Sequence, residues 1–164
     1  MTKTAEKLIV EQVSPDLIGP VSKHIMPLLE KACAHTGGRF YAQQVLENCA
    51  GMNKNQVWYL WLVLNPDKEF KGELSERVKA ITVTCLSDYP TGLRVAETLL
   101  IGGNGPSDEW LHYVDVLENW ALKNGATRMQ FIGRKGFQRK LGERWKPAAT
   151  MYECEIGDRQ YGPI

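Results

Sequence analysis

The chain has 164 residues, 43% of them hydrophobic and 24% charged, which is ordinary globular composition with length enough for one core, so a single domain is expected over residues 1–157 with a C-terminal tail at 158–164. Lysine and arginine number 20 against 19 acids, and the formal charge of +1 excludes a general electrostatic pull toward nucleic acid or an anionic membrane. The longest apolar run, Val57 to Leu64, is too short to span a bilayer, and the polar start through Lys7 lacks the apolar core of a signal peptide, so a cytoplasmic chain is expected.

Glu6 to Val13 alternates in polarity and predicts a first strand, turned by Ser14, Pro15 and Asp16. From Leu17 to Ala34, Ile18, Val21, Ile25, Leu28, Leu29 and Ala32 recur at helical spacing, with Pro20 in the first turn and Pro27 expected to bend or restart the helix. His35 to Gly38 ends it. A shorter helix follows over Phe40 to Asn48, burying Phe40, Val45 and Leu46, and Ala50 to Asn53 closes that segment. Gln56 to Leu64 is too apolar for a one-sided strand and predicts one covered on both faces.

Asn65 to Lys68 is a turn, and the charged run Lys71 to Arg77 reads as an exposed connection or a short irregular strand. Val78 to Leu86 is rich in β-branched residues, Ser87 to Gly92 turns the chain, and Leu93 to Ile101 returns it, giving an antiparallel meander. Gly102, Gly103, Asn104 and Gly105 form a glycine-rich turn into a helix that Ser107 caps, with Asp108 and Glu109 in its first turn. Trp110, Leu111, Val114, Leu117, Ala121 and Leu122 supply its apolar face, and Gly125 stops it. A strand over Thr127 to Ile132, a basic segment from Gly133 to Gly142 forming a short helix, and a last strand over Ala148 to Ile156 complete the chain. The four cysteines, Cys33, Cys49, Cys85 and Cys154, are widely spaced with no C-x-x-C pair, so no metal site or redox pair is indicated.

This order of elements, together with the closing segment that runs from Glu118 through the strand and short helix to Ile156, resembles the GCN5-related N-acetyltransferase (GNAT) fold over nearly the whole chain. Within that family it is most similar to small GNAT-like proteins of tailed bacteriophages, in which a strand runs into I-G-R-x-G-W; here the motif reads Ile132-Gly133-Arg134-Lys135-Gly136-Phe137. The resemblance implies an α/β (α+β) protein with a mixed, mostly antiparallel sheet of about six to seven strands and about four helices.

It further implies an N-acetyltransferase that takes acetyl-CoA and an amine acceptor. The strands matching Leu93 to Ile101 and Thr127 to Ile132 would part to admit the coenzyme's pantetheine arm. Leu99, Leu100, Ile101, Gly102, Gly103, Asn104, Gly105 and Ser107 would cradle it through their backbone, and Arg134 and Arg139 would meet its phosphates. Glu97 matches the family's general base. Gln138 occupies the position where the family often carries a tyrosine as the acid, so Tyr152, or alternatively Tyr113, is expected to substitute for it.

The sequence departs from the family at the turn. Leu100 stands where a polar or basic residue is usual, and Asp108 and Glu109 would each oppose a diphosphate by about 1 kcal/mol, a several-fold to tenfold loss of affinity. A second reading is therefore a GNAT-like scaffold without catalysis, acting as a virion-associated or host-directed phage protein. The basic cluster from Arg128 to Lys146 carries a third, nucleic-acid binding, beside its readings as a solvated face or a coenzyme contact.

Overall fold

The computed structural model describes residues 8–66, 73–106, 111–133 and 136–154. Their five strands form one sheet in sequential order: β1 (Ile9–Gln12), β2 (Trp58–Leu64), β3 (Val78–Asp88), β4 (Arg94–Gly103) and β5 (Arg128–Phe131). The first four pair antiparallel. The fifth joins β4 in parallel, because a crossover containing a helix lies between them. Between β1 and β2 come α1 (Ile18–Ala34) and α2 (Ala42–Cys49), α3 (Leu74–Arg77) is one turn leading into β3, α4 (Val114–Lys123) precedes β5, and α5 (Phe137–Leu141) follows it.

The two-sided burial expected for β2 is observed and fixes the layers. Trp58, Leu60, Leu62 and Leu64 pack with Ile25, Leu29 and Val45 beneath α1 and α2, while Trp61 and Val63 pack with Leu111, Val114 and Leu117 beneath α4. Alternate side chains of one strand therefore feed two cores, each fully buried aliphatic contributing about 1.5–3 kcal/mol by leaving water. None of the described helices is long and apolar enough to cross a membrane.

The mixed, mostly antiparallel α/β class is as expected, and several details differ. The strand expected over Ala148 to Ile156 does not form in its described part, through Cys154, so the described sheet has five strands rather than six or seven. There Met151 and Glu153 are both engaged by the Arg39 guanidinium, which ties this segment to the α1–α2 connection by side chains instead of by strand pairing. Leu74 to Arg77 is helical rather than extended. Pro27 does not break α1, which continues through it to Ala34 with the proline on the solvent side, where a freed carbonyl can bond water. Leu122 is exposed because it lies 100° around the helix from Ala121 and past the stripe that Val114, Leu117 and Ala121 define. Trp120 covers the other side of that stripe, edge-on to Tyr59 and Trp61. Ser107, Trp110 and the tail lie outside the described residues.

Gly102 and Gly103 also belong to β4 rather than to the turn after it. Gly102 is where α1 crosses the sheet: a Cβ there would stand 2.7 Å from the Ala32 Cβ, with the Ala32 Cα and Leu28 carbonyl oxygen each at 3.4 Å. These neighbours belong to a buried helix face and cannot swing aside. Gly102→Ala is accordingly expected to lower stability by about 1–3 kcal/mol, the range for overpacking a closed interior. An unchanged urea midpoint for that variant would show that α1 has room to shift.

Candidate functional site

The pairing of β3 with β4 carries one irregularity. Thr84 faces Thr98 and Val83 faces Leu100, so Leu99 is an extra residue, a β-bulge. Before it, Ala96 packs with Ala121 beneath α4, which places Glu97 on the α1 face. After it the sides exchange, so Leu99 and Leu100 both turn toward the α1 core while Ile101 faces α4.

The parallel ladder between β4 and β5 is short. It runs from Val95↔Arg128 to Thr98↔Phe131 and stops at the residue before the bulge, whereas β4 continues five residues further, to Gly103, with β3 as its described partner. All four residues of β5 are paired and β5 ends at Phe131, so beyond Thr98 the β5 side of β4 has no strand beside it among the described residues. The bulky residues near this edge are turned into neighbouring layers: Leu99 into the α1 core, Met129 against the Ala96–Ala121 cluster, and Phe131 onto the Phe137 and Trp145 rings.

One row of register runs across the sheet through Trp58, Cys85, Glu97 and Gln130. Glu97 is half-buried on the last-but-one pair of the β4–β5 ladder. Its Oε1 accepts from Gln130 Nε2 at 2.9 Å and from the Tyr89 hydroxyl at 3.3 Å, and its Oε2 lies 3.8 Å from Cys85 Sγ. These donors are all uncharged. Arg94, the cation three residues away, forms a two-pronged pair with Asp88 at 2.6 and 2.9 Å and donates to the Asn124 carbonyl. The guanidinium holds the Asp88 carboxyl below its usual range, with its hydrogen bonds the larger cause.

Trp58, at the far end of the row, is met edge-on by Phe40, with ring centroids 5.5 Å apart. Phe40 also lines a groove of about 530 Å³ between α1 and the start of α2, together with Met26, Glu30, Cys33, Tyr41 and Gln43. Two strand spacings separate Trp58 from Glu97, roughly 10 Å.

Of the other residues singled out in the sequence, Leu100 is buried and its carbonyl accepts from Thr82 Oγ1 at 2.9 Å. Gly103 pairs with Ala80, and the Asn104 amide donates to the Lys79 carbonyl at 2.8 Å, so that N–H is already engaged. Gly105 adopts φ 77°, a left-handed turn that favours glycine. Arg139 is exposed on α5, and Ser107 and Arg134 lie outside the described residues. Tyr152 is 90% exposed, flanked by the two residues that Arg39 holds. Tyr113 is buried beneath α4, on the face opposite Glu97, and burial pushes its phenol well above the usual range. The hydroxyl brought to Glu97 is Tyr89's.

Tyr89, Gln130 and Cys85 are partners that sequence reading did not select. The signal for Cys85 lay in the hairpin: a turn centred on Thr91 pairs Asp88 with Arg94 and hence Cys85 with Glu97. Gln130 carried no such signal, because the register of a parallel pair joined by a long crossover is not set by a turn.

The thiols provide a check on this burial. Desolvation, reinforced by the Glu97 carboxylate, pushes Cys85 up to about 11, and desolvation alone pushes Cys49 up to about 12. At pH 8 the Cys85 thiolate is then about one thousandth of the thiol and grows roughly tenfold per pH unit. Exposed Cys154 should consume iodoacetamide first, with Cys85 far behind and Cys49 last. Peptide mapping that finds Cys85 keeping pace with Cys154 would contradict the partial burial of Cys85 beside Glu97.

No protein-family model and no curated protein matches the sequence. Solved structures do match its fold. A probable acetyltransferase superposes with a TM-score of 0.62 at 15% identity, covering 92% of this chain and 99% of its own. An aminoglycoside acetyltransferase from an uncultured soil metagenomic sample, in complex with sisomicin, gives 0.63 at 8% identity over 92% and 97%. A predicted acetyltransferase from Clostridium acetobutylicum, with acetyl-CoA, gives 0.56 at 12% identity over 90% and 96%. The architecture is thus the GNAT one.

Proposed function

We propose that this chain is an acyl-CoA-dependent N-acyltransferase, with acetyl-CoA as donor and an amine as acceptor. The observation that carries the reading is the edge of β4 from the Leu99 bulge to Gly103, which has no described strand on its β5 side and begins one residue beyond the pair that borders Glu97. Backbone groups on that edge of β4 have no described strand to pair with, and the two amides of a pantetheine arm are a chemically matched pair of donors and acceptors. That the architecture is shared with acetyltransferases, one of them holding acetyl-CoA, supports the same donor here.

In this scheme the donor's thioester supplies an activated acyl group. Glu97 takes a proton from the acceptor ammonium, and the freed nitrogen lone pair forms the C–N bond at the thioester carbonyl as the C–S bond breaks. Tyr152, in the segment tied by Arg39 to the α1–α2 connection, is the phenol we assign to protonating the departing thiolate, and the second proton, shed by the nitrogen as it becomes an amide, restores that phenol by way of solvent. Arg134, Arg139, Gly105 and Ser107 are assigned to the coenzyme phosphates. The groove beside Phe40 and Tyr41, with the Glu30 carboxylate on its wall, suits an acceptor that carries positive charge and some apolar surface.

A second reading, the catalytically silent scaffold encoded by a phage and directed at a virion or host protein, is favoured by the turn after β4. Gly102 is filled by α1 and the Asn104 amide is engaged by Lys79, so fewer groups remain there for a pyrophosphate. Isothermal titration with acetyl-CoA at low and moderate salt separates the two. The enzyme binds, and across a panel of primary amines it releases free thiol. Glu97→Gln is expected to cut that turnover by about 10²-fold or more while leaving acetyl-CoA affinity within about twofold. Failure to bind at millimolar acetyl-CoA would leave the scaffold.

A further inference from the structure

Resting on the assignment of Glu97 as the base, we infer that Gln130 and Tyr89 are positioning residues that lock one carboxylate oxygen of Glu97 and so present the other to the acceptor. The two oxygens are not equivalent. Oε1 accepts two hydrogen bonds, from the Gln130 carboxamide at 2.9 Å and the Tyr89 hydroxyl at 3.3 Å, while the neighbour of Oε2 is a thiol at 3.8 Å, a long contact to a weak donor. A proton arriving from an ammonium goes to the oxygen whose lone pairs are open, which is Oε2.

The three partners come from three separate backbone segments. Tyr89 stands at the β3–β4 hairpin, where its amide donates to the Leu93 carbonyl at 2.9 Å. Cys85 is the cross-strand neighbour on β3, and Gln130 is the registered neighbour on β5. Gln130 occupies the last-but-one rung of the β4–β5 ladder, so its carboxamide ties the carboxylate across the two strands just before the ladder ends. A lysine or arginine there would restrain Glu97 equally well but would neutralise it. Glutamine restrains it and leaves the negative charge for the incoming cation, and Arg94, the nearby cation in the chain, is held by Asp88.

The test is a double-mutant cycle on thiol release. Gln130→Met keeps the length and removes the donor; it should lower kcat about tenfold with the acceptor KM and acetyl-CoA Kd within about twofold, because geometry is lost rather than binding. Tyr89→Phe should lower kcat about threefold, its hydrogen bond being longer. In the Glu97→Gln background both changes should have no further effect on rate. An undiminished kcat in Gln130→Met, or the same tenfold loss with and without Glu97, overturns the positioning role and leaves Glu97 as base. Full activity of Glu97→Gln overturns the base instead. Should Gln130→Met fail to fold, Tyr89→Phe carries the same cycle. In the absence of any turnover the Gln130 side-chain amide protons read the contact directly: in the native protein they should be shifted and slow to exchange, and Glu97→Gln should abolish this. Amide signals indifferent to Glu97 would also overturn the inference.

Discussion

One surplus residue in β4 governs the molecule. In a regular ladder Ala96, Thr98 and Leu100 would lie on one face, and the α1 core would lose a buried leucine to the α4 side. By inserting Leu99 opposite no residue of β3, the strand reverses its sides at that point and sends Leu100 under α1, where it is 4% exposed. The same insertion bends and twists the strand, since a bulge adds local twist to the segment that carries it. The parallel ladder to β5 stops at the residue before the bulge, where β5 itself ends. The burial of Leu100 and the place where the β4–β5 ladder ends thus meet at one backbone irregularity.

The electrostatics near the end of that ladder depend on a second, simpler pairing. Asp88 and Arg94 face each other at the mouth of the β3–β4 hairpin and close a two-pronged contact. Both are exposed, so the pair adds little to stability. Its effect lies in which charge it leaves alone: with the guanidinium engaged, Glu97 is restrained by a carboxamide, a phenol and a thiol. A restrained but uncompensated carboxylate near the end of the β4–β5 ladder attracts cations, and the proposed acceptor, an amine, would arrive as one at neutral pH.

The elements were legible in the sequence wherever periodicity was strong. The run from Trp58 to Leu64 announced a strand buried on both faces, and Val114, Leu117 and Ala121 announced the inner stripe of α4. The hairpin around Gly92 was legible too, and with it the neighbours of Glu97 on β3. What could not be read were features fixed by other parts of the chain. The role of Gly102 depends on where α1 crosses the sheet; a glycine cluster ahead of a helix looks like a phosphate turn whether or not another helix has already filled it. Gln130 lies opposite Glu97 because α4 docks as it does. The segment at Met151 alternates like a strand, yet Arg39 holds it by side chains.

The division between strand edge and turn decides where affinity for an acyl donor would reside. A turn that cradles a diphosphate needs backbone amides without other partners and a helix start free of negative charge. Here Asn104 donates to Lys79, Gly102 is packed against Ala32, and Asp108 and Glu109 stand in the sequence just beyond. The edge of β4 past Thr98, by contrast, lies on a backbone already held in place by its pairing with β3, so ordering it costs little when a ligand pairs with it. Recognition built this way leans on the amide-bearing arm more than on the phosphates. It would respond weakly to salt and strongly to any change that alters the course of β4 at Leu99.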